Sequence, residues 1–337
     1  MSGTRTRSIR ALGVAASLVA LGGLLAGCGG SPAASAAPAG PTTVAVGAVS
    51  NGAAKETPIT VDVVAAIRAK LPASVIDSGK LTIGLGFLPA GSPPIGYVGS
   101  DQKTITGSEP DLGRLVAGVL GLEPVFANAT WENLFVGLDS GRTDIGFSNI
   151  TDTEQRKLKY DFACYRQDNL GFAAPAGSNW AFTGDYQVLA GKKVAVGAGT
   201  NQEKILLQWQ TQLRAAGKTL DVEYFPDNNS TYLALSSGKI DAYFTPNPSV
   251  AYQVTQSANT PNPVRNAGTF SGAGSSLQGL ICATAKKDSG LAGPVAEAVN
   301  HLIQNGQYKT WLDAWNLANE AVPTSLVNPP GLPLTNS

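Results

Sequence analysis

The sequence predicts an α/β protein built from two similar blocks, and three observations carry that prediction. Short β-branched and aromatic runs alternate with segments of helical apolar period, the pattern of substantially parallel sheets flanked by helices. The alternation starts at Lys80 and starts again at Lys192. Two further helical segments then close the chain.

In the first block, KLTIGLGF (80–87) reads as a buried strand. EPDLGRLVAGVLG, from Glu109, reads as an amphipathic helix with Leu112, Leu115, Val116, Val119 and Leu120 on one face and Gly121 as its stop. A short strand follows at 125–127. WENLFVGLDSG is the next helix, with Leu134, Phe135 and Leu138 inward and Gly141 ending it, and TDIGFS from Thr143 is the third strand. In the second block, KKVAVGAG from Lys192 is a strand running into a glycine turn. Thr200 caps the helix NQEKILLQWQTQLRAAG, with Gln202 and Glu203 in its first turn. LDVEYF, the helix NSTYLALSSG, the strand KIDAYF and a helix beginning NPSVAYQVTQ follow, Pro248 falling at a tolerated early position. SSLQGLICATAKK adds a strand, and LAGPVAEAVNHLIQNG and YKTWLDAWNL are the closing helices before a polar tail at 321–337. A cleft between two such blocks is the natural ligand site, because strand ends and helix N-termini present unsatisfied N–H donors there.

The N-terminus reads as an export signal. Arg5, Arg7 and Arg10 precede an apolar run at 11–26, too short for a comfortable permanent span but suited to a signal peptide core. The run ends LLAGC, which resembles a bacterial lipobox. That resemblance implies cleavage after residue 27 and a diacylglyceryl group on the Cys28 thiol. Lipid chains would anchor the mature protein to the outer face of the cell membrane. Residues 28–57, rich in Gly, Ala, Ser and Pro, hold too few large apolar groups to offset their ordering entropy and read as a flexible tether.

Composition excludes several function classes. The formal net charge is +0, so there is no electrostatic footprint for nucleic acid. His301 is the single histidine and lies in an apolar-periodic helix, which argues against a histidine metal cluster and against a Ser-His-Asp triad. No metal or cofactor is expected. Cys164 and Cys282 remain after Cys28, in a compartment where disulfides persist; one pairing or two buried thiols both fit the sequence.

Taken in order, the segments PPIGY, GSEPDL, TWENLFVGLDSGRTDIGFSNITDTEQRKLKYDFACY, GKKVAVGAGTNQE, SSGKIDAYF and NGQYKTWLDAW resemble the extracellular solute-binding proteins of polar amino acid ABC transporters, family 3, over residues 78–318. The resemblance implies a two-lobed type II periplasmic-binding-protein fold. Lobe one would take 78–167 plus 273–320 and lobe two 168–272, with crossings at 167–172 and 272–278. Cys164 and Cys282 lie beside these two crossings, which motivates a disulfide at the base of the hinge. It also implies a monomer that captures an amino acid or related carboxylate by hinge closure and delivers it to a membrane permease.

Residue roles follow from the same resemblance. Arg156 matches the arginine that grips a ligand α-carboxylate, a task suited to its planar fork of donors. Asn149 and Thr151 match hydrogen-bonding positions of lobe one, and Trp131 matches an apolar or aromatic wall. Thr200 and Asn201 match lobe two's contribution at a helix N-terminus. Two departures stand out. Pro246 falls where amino-acid binders commonly carry an aspartate for the ammonium, flanked by the uncharged Thr245 and Asn247. FLPAGS lacks the aromatic directly before the prolines, so Phe87 or Tyr97 would substitute. The alternatives on this fold are a cleft enzyme of the cyclohexadienyl dehydratase type, for which no motif places the acid, and a sensory binding module.

Overall fold

The computed structural model describes residues 40–51 and 55–334. The basic start, the apolar run and Cys28 lie outside the described residues.

One long strand, Tyr160–Pro175, organises the molecule. Its first half pairs antiparallel with Gly279–Lys286. Its second half pairs antiparallel with both Ala242–Pro246 and Val264–Ser271. Beyond the first half, Lys80–Leu85 lies parallel to Glu123–Asn128 and Ile145–Gly146. Beyond the second, Lys193–Val196 lies parallel to Asp221–Glu223 and Ala242–Pro246. The sheet is thus α/β in both arms, with antiparallel pairing confined to the strands at the centre. Two lobes share this one backbone.

Each arm has its own core, because each set of parallel strands must be covered by helices. The first core gathers Leu81, Ile83, Leu85, Leu112, Leu115 and Val116 with Trp311 and Trp315 of the closing region. The second gathers Phe172, Val194, Val196, Ile205, Trp209 and Phe244. Phe172 and Phe244 stack with ring centroids 4.3 Å apart, which locks the long strand to its lobe-two neighbour.

Two expectations need correcting. The tether expected over 28–57 gives way to structure from Thr42. Thr42–Val46 and Thr57–Val61 form an antiparallel hairpin, with Thr42 opposite Val61. In TTVAV and TPITV the large apolar residues stand at alternate positions, so Val44, Val46, Ile59 and Val61 fall on one face and enter the first core. Composition averaged over a Gly- and Ala-rich stretch conceals that period. The tail expected over 321–337 is likewise held in place as far as it is described. Leu326–Val327 pairs with the long strand, and Leu332 is fully buried in the second core.

Val264–Ser271, absent from the sequence reading, is a strand interrupted by an irregularity between Asn266 and Thr269, which breaks the period a sequence pattern needs. Cys164 and Cys282 are register partners on adjacent strands and form a disulfide. Among the described residues, no helix is long and apolar enough to cross a membrane.

Candidate functional site: the cleft between the lobes

The cleft begins with two helix starts that face each other. Thr130 caps the helix Trp131–Asp139, its side chain accepting from the Asn133 N–H, and this puts Trp131 at the helix tip. Across the cleft, Thr200 caps Asn201–Ala215 by accepting from the Glu203 N–H at 3.2 Å, as the sequence predicts. The Gly199 N–H at this turn donates to the Glu203 carboxylate at 2.7 Å. That donor therefore already serves an anion of its own helix.

Arg156 opens a short helical turn, Arg156–Leu158, directly before the long strand. Its Nη1 donates to the Thr151 carbonyl at 2.9 Å, and its Nη2 donates to the Gly199 carbonyl at 3.2 Å. The guanidinium carbon lies 5.3 Å from the ring centroids of both Trp131 and Phe135. The side chain is half-buried, its guanidinium beside those two rings. Burial lowers its pKa to about 10, with nearby Asp168 opposing the shift, so the charge persists at neutral pH. Trp131 Nε1 donates to the same Gly199 carbonyl at 3.2 Å. Two lobe-one side chains thus converge on one lobe-two oxygen.

Behind them, at the crossing, stands Asp168 of the long strand. Its Oδ2 accepts from Thr151 Oγ1 at 2.7 Å and from Asn201 Nδ2 at 3.0 Å. Asn201 Nδ2 also donates to the Gly272 carbonyl at 2.9 Å. The crossing segments approach so closely that a Cβ on Gly272 would sit 1.7 Å from Asp168 Oδ2, so any larger residue there would displace that carboxylate. Burial raises the Asp168 pKa, opposed first by the Thr151 hydrogen bond and then by the Arg166 charge.

In front lies a cavity of about 400 Å³, lined among others by Phe87, Ser92, Trp131, Thr200, Asp227 and Tyr243. The lobes touch around it. Ser92 Oγ and Ser249 Oγ are 3.0 Å apart, and Asn228 Nδ2 donates to the Gly91 carbonyl at 2.8 Å. Tyr243 O–H donates to Asn228 Oδ1 at 2.6 Å and steadies that contact.

The structure sorts the sequence-predicted residues into three groups. Phe87, Trp131 and Thr200 line the cavity, with Arg156 beside Trp131. Thr151 and Asn201 meet at Asp168. The remaining four serve other contacts. Asn149 sits at φ 53°, donates its N–H to Glu109 at 3.0 Å and accepts from Arg166. Arg166 in turn pairs with the buried Glu109 and Glu320 carboxylates. The Tyr97 hydroxyl lies 2.9 Å from Ser50 Oγ of the N-terminal hairpin. Thr245 is buried opposite Gly171 of the long strand. Asn247 accepts from Asn266 Nδ2 at 2.8 Å. Asp168 itself escaped the sequence reading. The strand YDFACYRQDNLGFAAP carries Asp161 and Arg166 as well, so charge within it did not single out Asp168.

Residues 86–318 match the family described as bacterial extracellular solute-binding proteins, family 3. The L-cystine-binding protein of Escherichia coli (strain K12) is 34% identical over 170 residues, covering 50% of this chain and 59% of that protein. The chain therefore spans less than two thirds of that relative. The arginine-binding protein of Corynebacterium glutamicum is 27% identical over 278 residues, covering 80% of this chain and 85% of that protein. Among solved structures, an amino acid ABC transporter substrate-binding protein from Streptococcus pneumoniae, bound to L-arginine, superposes with a TM-score of 0.61. It is 23% identical and covers 73% of this chain and 99% of that one. That likeness establishes the two-lobed fold.

Proposed function

We propose a transport role from a plain premise: the chain belongs to family 3 of the bacterial extracellular solute-binding proteins. On this reading it captures a small carboxylate-bearing solute, a polar amino acid or a derivative, in the cleft between its lobes and presents it to an ABC permease. The observation that carries the reading is the seat of Arg156. Its guanidinium is covered by two aromatic rings and held between Thr151 of one lobe and Gly199 of the other, so it is pre-aimed at the cleft. A fork held this way loses little entropy when a carboxylate replaces its present carbonyl partner.

The lobes divide at 78–167 plus 273–320 against 168–272, and closure brings Trp131, Phe87 and Thr200 around the ligand. Capture by hinge closure needs no covalent step. The N-terminal signal would be removed through residue 27, and lipid on Cys28 would hold the monomer at the outer face of the membrane. The packed hairpin then leaves residues 28–41 as the connection between lipid and domain.

A thermal-shift panel tests the function. The protein is unfolded and refolded to strip bound solute, then melted with each standard amino acid, with the decarboxylated amines and with carboxylates lacking the amine. Ligand that binds only the native state raises the midpoint. At least one amino acid is expected to do so; a flat panel across all three classes sinks the reading.

A further inference from the structure

We infer that Asp168 is the specificity-determining residue of this cleft, the anion that pairs with a ligand's ammonium group. The inference rests on the solute-binding reading and adds to it the charge that residue 246 does not supply. Pro246 is neutral and has no N–H, while Thr245 and Asn247 are committed to the sheet and to Asn266.

Asp168 occupies the place such an anion needs. It lies on the long strand at the passage between lobes, where one side chain from each lobe reaches it. Both of those hydrogen bonds fall on Oδ2; among the described residues Oδ1 accepts none. A carboxylate has room for about four hydrogen bonds, so half of this group is unspent. Buried carboxylates are costly unless a cation or a full set of donors meets them. Neither nearby guanidinium closes the gap: Arg166 acts on Asp168 through its charge but is paired with Glu109 and Glu320, the two arms of Arg156 end on the Thr151 and Gly199 carbonyls, and no ion pair joins either to Asp168 among the described residues. Yet the Arg156 and Asp168 charges sense each other.

Thr151 stands between them, its carbonyl bound to Arg156 and its hydroxyl to Asp168. A positive and a negative group therefore flank one residue at the back of the cleft. A zwitterionic head group fits that pair, with its carboxylate on Arg156 and its ammonium on Asp168 Oδ1. Asp168 is 1% exposed, so the ammonium reaches it as the lobes part and is enclosed as they close. The same carboxylate repels a second carboxylate from the seat between Thr151 and Asn201. Gly272 is what lets the strand pass close enough for this arrangement.

Calorimetry with wild type, D168N and D168E tests the assignment. The probes are L-arginine, L-cystine, 5-guanidinopentanoate (arginine without its amine) and agmatine (arginine without its carboxylate). Wild type is expected to prefer the amino acid it binds over the amine-free carboxylate by at least about tenfold. D168N keeps the shape and an acceptor for Thr151 but loses the charge. It should weaken the amino acid by about 30-fold and leave the amine-free carboxylate within about threefold. D168E retains the charge and should keep the preference at lower affinity. Equal weakening of both probes by D168N would show Asp168 to be a brace between the lobes and overturn the assignment. Tight binding of the amine-free carboxylate by wild type would also overturn it while leaving solute capture standing. Binding of no probe, with a flat amino acid panel, overturns both.

Discussion

The back wall and the mouth of the cleft are built on opposite principles. At the back wall, Thr151, Asp168, Asn201 and Gly272 are joined by short hydrogen bonds, and Asp168 is buried. In the mouth, Phe87, Trp131 and Tyr243 border a cavity, and the polar contacts there, Ser92 with Ser249 and Asn228 with Gly91, lie at its edge between the lobes. The difference teaches how such a site divides its work. Charges buried behind the cleft are rigid and selective, because each misplaced partner leaves an unpaired group in low dielectric. An aromatic border is tolerant, because apolar faces cover ligand stems of many shapes. On the proposed function, head-group recognition belongs to the wall and side-chain tolerance to the mouth.

Three perturbations would break or sharpen this comparison. The largest acts behind the wall. Replacing Cys164 and Cys282 by serine opens a bridge with a sequence separation of 118 residues. The expected loss is about 4 kcal/mol of unfolding free energy in urea titration, since so long a loop regains much entropy when freed. Ligand affinity should change by less than about threefold: the cluster that holds both cysteines packs against Trp131 and Phe135, but neither cysteine side chain bonds to Thr151, Asp168, Asn201 or Gly272 among the described residues. A large affinity loss would mean that the bridge sets the wall's geometry.

Next in size, Arg156→Ala should weaken amino acid binding by about 100-fold in calorimetry, the usual cost of removing one partner of a covered charge pair. Arg156→Lys should recover only part of it, since an ammonium cannot span both Thr151 and Gly199 carbonyls as the fork does. Full recovery by lysine would reduce Arg156 to a point charge. The smallest effect belongs to the mouth. Trp131→Ala removes one aromatic cover from Arg156 and one bond to Gly199, and should cost about tenfold in affinity. If it cost as much as Arg156→Ala, the division between wall and mouth would fail.

Much of the fold was legible because its signals are local. The amphipathic period of Ser108–Leu120, the Thr200 cap and the strands KLTIGL and KVAV each announce themselves within a dozen residues. The hairpin Thr42–Val46 with Thr57–Val61 was hidden by its Gly- and Ala-rich setting, although its five-residue strands alternate cleanly. Of the site, Arg156, Trp131, Phe87 and Thr200 were legible and reach the cleft. Tyr97 and Asn247 were not separable from ligand contacts by sequence, because their partners Ser50 and Asn266 lie elsewhere in the chain.

The sequence by itself determined the alternation of strands and helices, the caps, the family and the candidate guanidinium. These depend on neighbours within a turn or two of the chain, or on segments occurring in a recognisable order. Only the tertiary structure decided that Thr151, Asn201 and Gly272 would converge on Asp168, residues separated by up to 121 positions by their numbering. Such a convergence is set by how two lobes pack across a long strand. Nothing in the local pattern around any one of these residues encodes the approach of the other three.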